Sequence, residues 1–276
     1  MSEKNTLNSN SSYSLILELI KKYGELRQSD LVSLSGISKS RVSEILTDLE
    51  RKGIIERKKL AGRNLVVKLS PKKFLTIGII KAAEYPFIVP FMKVLREKGY
   101  HVEVRVYSNG LDVTKDLSSG KIDIALSPVI TQILFQKIFS NFKIIAGGAK
   151  GGGAIIGDYS CNTIASTSLS SMELWSLLYD PEATLVEYSS PDDMINALER
   201  REVKKISIWE PYATILANEG FRIIHRFEPL HCCTLAIRND LDPEFFRGIY
   251  EQAFTNFLSQ KDRWIQDYSN VVNIDY

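Results

Sequence analysis

Two hydrophobic textures divide this sequence, and together they predict a winged helix-turn-helix domain followed by a two-lobed α/β domain. The first texture is helical: Leu31, Leu34 and Ile37, then Val42, Ile45, Leu46 and Leu49, recur at helix spacing on either side of Ser35-Gly36. The second begins near Phe74, where continuous apolar strand-like runs alternate with amphipathic helical segments, the pattern of a parallel or mixed sheet with flanking helices. The third observation is charge. Residues 1–74 hold 15 Lys and Arg against 8 Asp and Glu, a net of +7; the remainder hold 20 against 25, a net of −5. A basic head on a mildly acidic body points to a polyanionic partner for the head alone.

In chain order, the Ser/Asn-rich residues 1–12 are expected to be disordered. Residues 13–23 predict a first helix, with Gly24 to Arg27 as a short connection. Asp30 to Gly53 supplies two helices joined by a tight turn. Gly36 suits the positive φ that turn needs, Ser38 suits the N-cap of the second helix, and Gly53 after Arg51-Lys52 suits its C-terminus. Residues 54–60 and 65–69 predict a hairpin around Ala61 to Asn64, and this hairpin is the wing. The boundary is placed at residues 70/71, so the expected domains are 13–70 and 71–276.

Beyond the boundary, strands are predicted at 75–81, 101–107, 122–126, 143–146, 154–156, 163–165, 184–188, 205–209, 222–227 and 234–238. Helices fall between them, and one or two more close the chain after Pro243. Two successive α/β sets imply two lobes. Three cysteines, Cys161, Cys232 and Cys233, argue against a disulfide framework and suit a reducing cytosol. No apolar run approaches a membrane span, and the polar N-terminus lacks the apolar core of a secretory signal. A cytoplasmic protein with no membrane partner is therefore expected.

The head resembles the winged helices of MarR-like and IclR-like regulators through Leu31, Gly36-Ile37-Ser38, Ser40, Val42-Ser43, Leu46, Leu49-Glu50 and Gly53-Ile54-Ile55. Residues 75–270 resemble a type 2 periplasmic binding protein of the branch that binds nitrate, sulfonates and thiamine pyrimidine precursors. That resemblance rests on Ile77-Gly78-Ile79, Gly120-Lys121-Ile122-Asp123-Ile124-Ala125, Phe142 to Ala146 and Trp209-Glu210-Pro211-Tyr212. The pairing implies a cytoplasmic transcriptional regulator, a homodimer on double-stranded operator DNA, whose affinity is set by a polar or anionic small molecule held between the lobes.

For the head, the face of the second motif helix opposite its apolar stripe nominates Ser38, Lys39, Ser40, Arg41, Ser43 and Thr47 for DNA contact. The wing adds Arg57, Lys58, Lys59 and Arg63. For the lobes, the resemblance nominates Glu84, Tyr85, Ser127, Gly148, Ser168, Ser170, Glu210 and Tyr212, with Tyr85 and Tyr212 as a possible sandwich for a flat ring. Ser170 equally suits a plain N-cap, and Trp209 suits the core. His231-Cys232-Cys233 faintly resembles the Cys-rich segment of fungal thiamine-pyrimidine synthases. Adjacent cysteines on a strand point to opposite faces, which argues against a shared ion there. No P-loop, H-x-x-x-H or nucleophile elbow is present, so neither a cofactor nor catalysis is expected. The alternatives are an enzyme of thiamine-pyrimidine synthesis and a cytoplasmic small-molecule binder of the same fold.

Overall fold

The computed structural model describes residues 3–51, 53–59, 65–70 and 74–273, with side chains from residue 12. The chain divides into two compact units, Met1–Leu75 with Leu95–Val102, and Thr76–Val94 with Glu103–Tyr276.

The first unit runs α1 (Glu3–Tyr23), β1 (Glu25–Arg27), α2 (Gln28–Ser35), α3 (Lys39–Arg51), β2 (Ile55–Lys59) and β3 (Leu65–Leu69). The first helix begins at Glu3, well before the expected Tyr13 and through the segment expected to be disordered. That segment holds no Gly or Pro to stop a helix, so the turns that begin at Tyr13 can extend backwards. The connection at Gly24 also carries more structure than expected. Glu25–Arg27 forms a strand that pairs antiparallel with β3, giving the sheet order β1-β3-β2.

Between α2 and α3 the chain turns at Gly36, whose φ of 67° is left-handed, and Gly36 N–H donates to the Val32 carbonyl. The Ser38 hydroxyl accepts from Arg41 N–H at 3.4 Å and caps α3. At the other end Gly53 sits at φ 70°, and Ile54 N–H returns to the Leu49 carbonyl. Val42, Ile45, Leu46 and Leu49 turn inward and join Ile16, Leu17, Ile20, Leu31, Ile55 and Val67 in one apolar core.

The α/β part, which makes up the second unit apart from the first residues of β4 and β5 and the last turn of α4, contains β4 (Phe74–Ile80), α4 (Ile88–Glu97), β5 (His101–Tyr107), α5 (Gly110–Ser118), β6 (Ile124–Pro128), α6 (Val129–Phe139) and β7 (Phe142–Gly147). It continues through β8 (Gly153–Gly157), β9 (Thr163–Thr167), α7 (Ser171–Tyr179), β10 (Thr184–Tyr188), α8 (Pro191–Glu199), β11 (Lys205–Trp209), α9 (Tyr212–Asn218) and β12 (Ile223–Arg226). The chain ends with β13 (Cys233–Arg238), α10 (Pro243–Ser259) and α11 (Lys261–Val272). Two five-stranded sheets result, β5-β4-β6-β13-β7 and β10-β9-β11-β8-β12.

The two orders are the same motif. In each, one strand delivered by a crossover from the other lobe runs antiparallel to its neighbours: β13 in the first sheet, β8 in the second. Each lobe is thus completed by a strand that arrives from its partner. The crossovers, residues 148–152 and 227–232, pair with each other through a bridge at Lys150 and His231 and bonds from Gly151 N–H to Leu230 and Cys232 N–H to Ala149.

Inside the second lobe, β8 ends at Gly157 with φ 132°. A Cβ there would lie 2.0 Å from the Lys204 carbonyl oxygen, on the neighbouring β11 side. Gly157→Ala is expected to cost this lobe about 3 kcal/mol or more, from forced backbone strain and a displaced strand pair. Equilibrium denaturation followed by tryptophan fluorescence measures it; a shift below about 0.5 kcal/mol would show that the strand end relaxes freely.

Candidate functional site

The lobes meet over a narrow cleft with a cavity volume of about 20 Å3, lined by Ile80, Glu84, Gly110, Pro128, Thr167, Ser170, Ser171, Met172, Trp209, Cys232 and Cys233. Its walls are strand ends and helix N-termini. Pro128 ends β6, Thr167 ends β9, Trp209 ends β11, and Ser170 caps α7. Strand-end loops and helix starts gather here because both sheets aim their carboxyl ends at the same gap.

Hydrogen bonds join the lobes across this gap. The Trp209 indole donates to the Lys81 carbonyl at 2.9 Å, and Ala83 N–H donates to the Glu210 carbonyl at 2.8 Å. Asn109, which caps α5, donates through its amide to the Ser189 carbonyl at 2.8 Å. The Thr131 hydroxyl donates to the Leu169 carbonyl, and the Ser171 hydroxyl to the Cys232 carbonyl at 2.7 Å. Leu169 holds a left-handed φ of 52°, which turns its carbonyl to Thr131. The cleft is therefore described in a closed arrangement.

Of the eight residues nominated for ligand contact, Glu84 and Ser170 line the cleft. Ser170 also caps α7, accepting from Glu173 N–H at 3.1 Å, so it serves the helix first. Tyr85 is fully buried and donates its hydroxyl to Cys233 Sγ at 2.7 Å. Tyr212 is buried with its ring edge-on to Trp209, so the two tyrosines form no sandwich. Ser127 lies in the core, bonded to Thr114 and Gln132. Glu210 uses its carboxylate to accept from Thr214 N–H, at the start of α9, and to pair with Arg226 at 3.0 Å. Gly148 lies against Cys233, its N–H on the Cys233 carbonyl, and Ser168 lies outside the lining residues.

Sequence reasoning singled out Cys232 and Cys233 but set a shared site aside because adjacent strand residues face opposite ways. They are not on opposite faces of one strand. Strand β13 begins at Cys233, and Cys232 belongs to the crossover before it, so alternation does not apply. Their sulfurs lie 3.1 Å apart, and both meet Glu84 Oε1, at 3.3 Å from Cys232 and 2.9 Å from Cys233. Burial pushes the Glu84 carboxyl above its usual range, and it raises the Cys233 thiol well above its own, with the neighbouring thiol and carboxyl adding to the effect.

On α3 the structure places Ser38, Lys39, Ser40, Glu44 and Thr47 at the surface, with Arg41 and Ser43 half-buried. Arg41 pairs with Glu44 at 3.1 Å and lies over the Tyr13 ring, 5.9 Å from its centroid. Arg57 does not stand free. Its guanidinium donates from Nε to Glu50 at 2.7 Å and from Nη2 to the Thr47 hydroxyl, bracing β2 against α3. These bonds hold the Glu50 carboxyl below the usual carboxylate range. Lys58 and Lys59 are exposed, and Arg63 falls outside the described residues.

Residues 8–70 match a family model described as "Domain of unknown function (DUF7343)". Two curated relatives carry a short matching segment. The uncharacterized protein MJ1254 of Methanocaldococcus jannaschii is 39% identical over 62 residues, 22% of this chain and 13% of that protein. The uncharacterized protein PH0614 of Pyrococcus horikoshii is 39% identical over 54 residues, 20% of this chain and 16% of that one. The chain thus matches only a small part of either relative. Among solved structures, the alkanesulfonate-binding protein SsuA from Xanthomonas axonopodis pv. citri, bound to MOPS, aligns with a TM-score of 0.61 and 17% identity over 73% of this chain and 80% of that one. The ligand-binding component of an ABC-type import system from Staphylococcus aureus, with zinc bound, aligns with a TM-score of 0.57 and 19% identity over 66% and 72%. Protein AF1704 from Archaeoglobus fulgidus aligns with a TM-score of 0.58 and 14% identity over 73% and 83%. At such identities the likeness is one of fold, and the α/β unit has the fold of a type 2 periplasmic-binding-protein-like domain.

Proposed function

We propose that this chain is a DNA-binding transcriptional regulator whose affinity for operator DNA is set by a small molecule held in the cleft of its α/β unit. The observation that carries the reading is the first unit itself. An amphipathic α3 follows a left-handed glycine turn, buries its apolar stripe completely, and leaves Ser40, Glu44 and Thr47 facing outward. In the order helix, strand, helix, helix, strand, strand, this is the arrangement of a winged helix whose second motif helix enters a major groove. The excess of seven positive charges over residues 1–74 supports an anionic partner.

Arg41 is the residue assigned to base contact. Its partner Glu44 is solvent-exposed, and an exposed ion pair contributes only about 0–1 kcal/mol, so the guanidinium exchanges it readily for a guanine edge. Arg57 is reassigned from phosphate contact to bracing, which leaves Lys58 and Lys59 as the described wing cations for the backbone. The effector is a polar or anionic metabolite, the protein acts in the cytoplasm, and two copies read paired half-sites.

Titration of duplex DNA by the full chain at rising salt tests the reading. The logarithm of affinity is expected to fall linearly with the logarithm of salt, and Arg41→Ala to weaken the preferred duplex by about 1–3 kcal/mol. Unchanged affinity would remove Arg41 from the contact set. A chain that binds a metabolite yet shows no duplex affinity at low salt would be a binding protein only.

A further inference from the structure

Three groups that lie far apart in sequence converge at the root of the cleft. Glu84 follows β4, and Cys232 and Cys233 lie 148 and 149 residues later, where the second crossover re-enters the first sheet. One ligand atom from each, the two sulfurs and a carboxylate oxygen, falls within 4.8 Å of the other two. All three residues line the cleft, and its lining contains no Lys, Arg or His to balance a negative charge.

We propose that Glu84, Cys232 and Cys233 bind a thiophilic divalent ion of the zinc class. A tetrahedral ion with bonds of about 2.3 Å to sulfur and 2.0 Å to oxygen holds its sulfurs about 3.8 Å apart and each sulfur about 3.5 Å from the oxygen. The observed separations are 3.1 Å between sulfurs and 2.9 and 3.3 Å from sulfur to oxygen. Spreading the triangle by well under 1 Å accommodates the ion. Such a spread is within the reach of side-chain torsions, since Cys232 lies on a crossover rather than inside a strand.

The surroundings suit a thiolate ligand. The Tyr85 hydroxyl donates to Cys233 Sγ at 2.7 Å, and hydrogen bonds of this kind orient a metal-bound sulfur and tune its basicity. A dication would offset two of the three negative charges that two thiolates and a carboxylate carry there. Three protein ligands leave the fourth tetrahedral position to the cleft, the arrangement of a site that binds an exogenous group. The ion would therefore hold a donor atom of whatever small molecule enters. Cys161, half-buried beyond β8 and bonded to Thr163 N–H, takes no part.

The experiment uses the full-length chain, reduced and stripped with chelator, titrated with Co2+ and followed in the near ultraviolet. One equivalent of Co2+ is expected to produce a thiolate-to-metal charge-transfer band that Zn2+ then bleaches. Cys232→Ser and Cys233→Ser are expected to remove it, and Cys161→Ser to leave it unchanged. Tyr85→Phe, which preserves shape, is expected to weaken affinity roughly 10- to 100-fold, and Glu84→Gln by about as much or more. Glu84→Gln and Tyr85→Phe keep the test decisive if a serine variant fails to fold. Absence of the band in the wild-type chain overturns the proposal, as does a band of equal strength in the Cys232→Ser/Cys233→Ser chain. Ion binding is read without DNA, so its failure leaves the operator-binding reading standing, and the reverse also holds.

Discussion

Asp123→Ala is expected to lower the stability of the α/β unit by about 3 kcal/mol. Asp123 sits immediately before β6 and is nearly buried. One carboxylate oxygen accepts from Thr76 N–H at 2.6 Å; the other faces Arg238 Nη1 at 3.1 Å. The side chain therefore ties β6 to β4 on one side and to β13 on the other, across three adjacent strands of the first sheet. Its removal orphans the Thr76 N–H in a buried place. Arg238 keeps Asp240 at 2.9 Å, so its charge is not stranded, and this holds the cost below that of a fully broken buried pair. Asp123→Asn separates the contributions, because the amide still accepts from Thr76 but carries no charge. It is expected to cost less than half as much. All three tryptophans, Trp175, Trp209 and Trp264, lie in this unit, so denaturation followed by tryptophan fluorescence reports it directly. Equal loss in both variants would assign the effect to charge rather than to the Thr76 bond.

Leu46→Ala should act on the other unit. Leu46 is fully buried within a core built from few side chains. Truncating a buried leucine costs about 2–5 kcal/mol. A unit of this size has a total stability on the order of 4–10 kcal/mol, so the variant loses much or all of its margin. Far-ultraviolet circular dichroism should then show an early transition that tryptophan fluorescence does not follow. The same variant should lose duplex DNA binding while ligand binding in the cleft survives. A single coincident transition by both probes would show that the two units unfold together and that the probes cannot separate them.

Much of the architecture was legible in the sequence because it depends on local periodicity. The stripe of Val42, Ile45, Leu46 and Leu49 implies a buried face wherever the helix packs, and Gly36 and Gly53 mark its limits through positive φ. The inner strands β4, β6, β8, β11 and β13 announce themselves as largely apolar runs, since both faces are covered. The short strand β1 was not legible: three residues, Glu25, Leu26 and Arg27, carry no pattern, and their strand state comes from pairing with β3 some 40 residues away.

The cleft was legible in position but not in detail. The loop after β4 and the start of α7 do contribute Glu84 and Ser170. Glu210 and Tyr212, however, turned to local work, because the start of α9 needs an acceptor and Trp209 needs a packing partner. Which side of a strand-end loop faces the cleft is decided by such tertiary pairings. The Cys232, Cys233 and Glu84 cluster depends on where β13 begins and on a contact across 148 residues, and no spacing rule carries that information.

The central claim is that the first unit reads DNA sequence. Selection of duplexes from a random pool by the full-length chain tests it most directly, with a chain carrying Ser40→Ala, Arg41→Ala and Ser43→Ala as the control. The account predicts one enriched motif with two inverted half-sites, recovered by the wild-type chain and lost by the control. Recovery of no motif, or of the same motif by both chains, would contradict it.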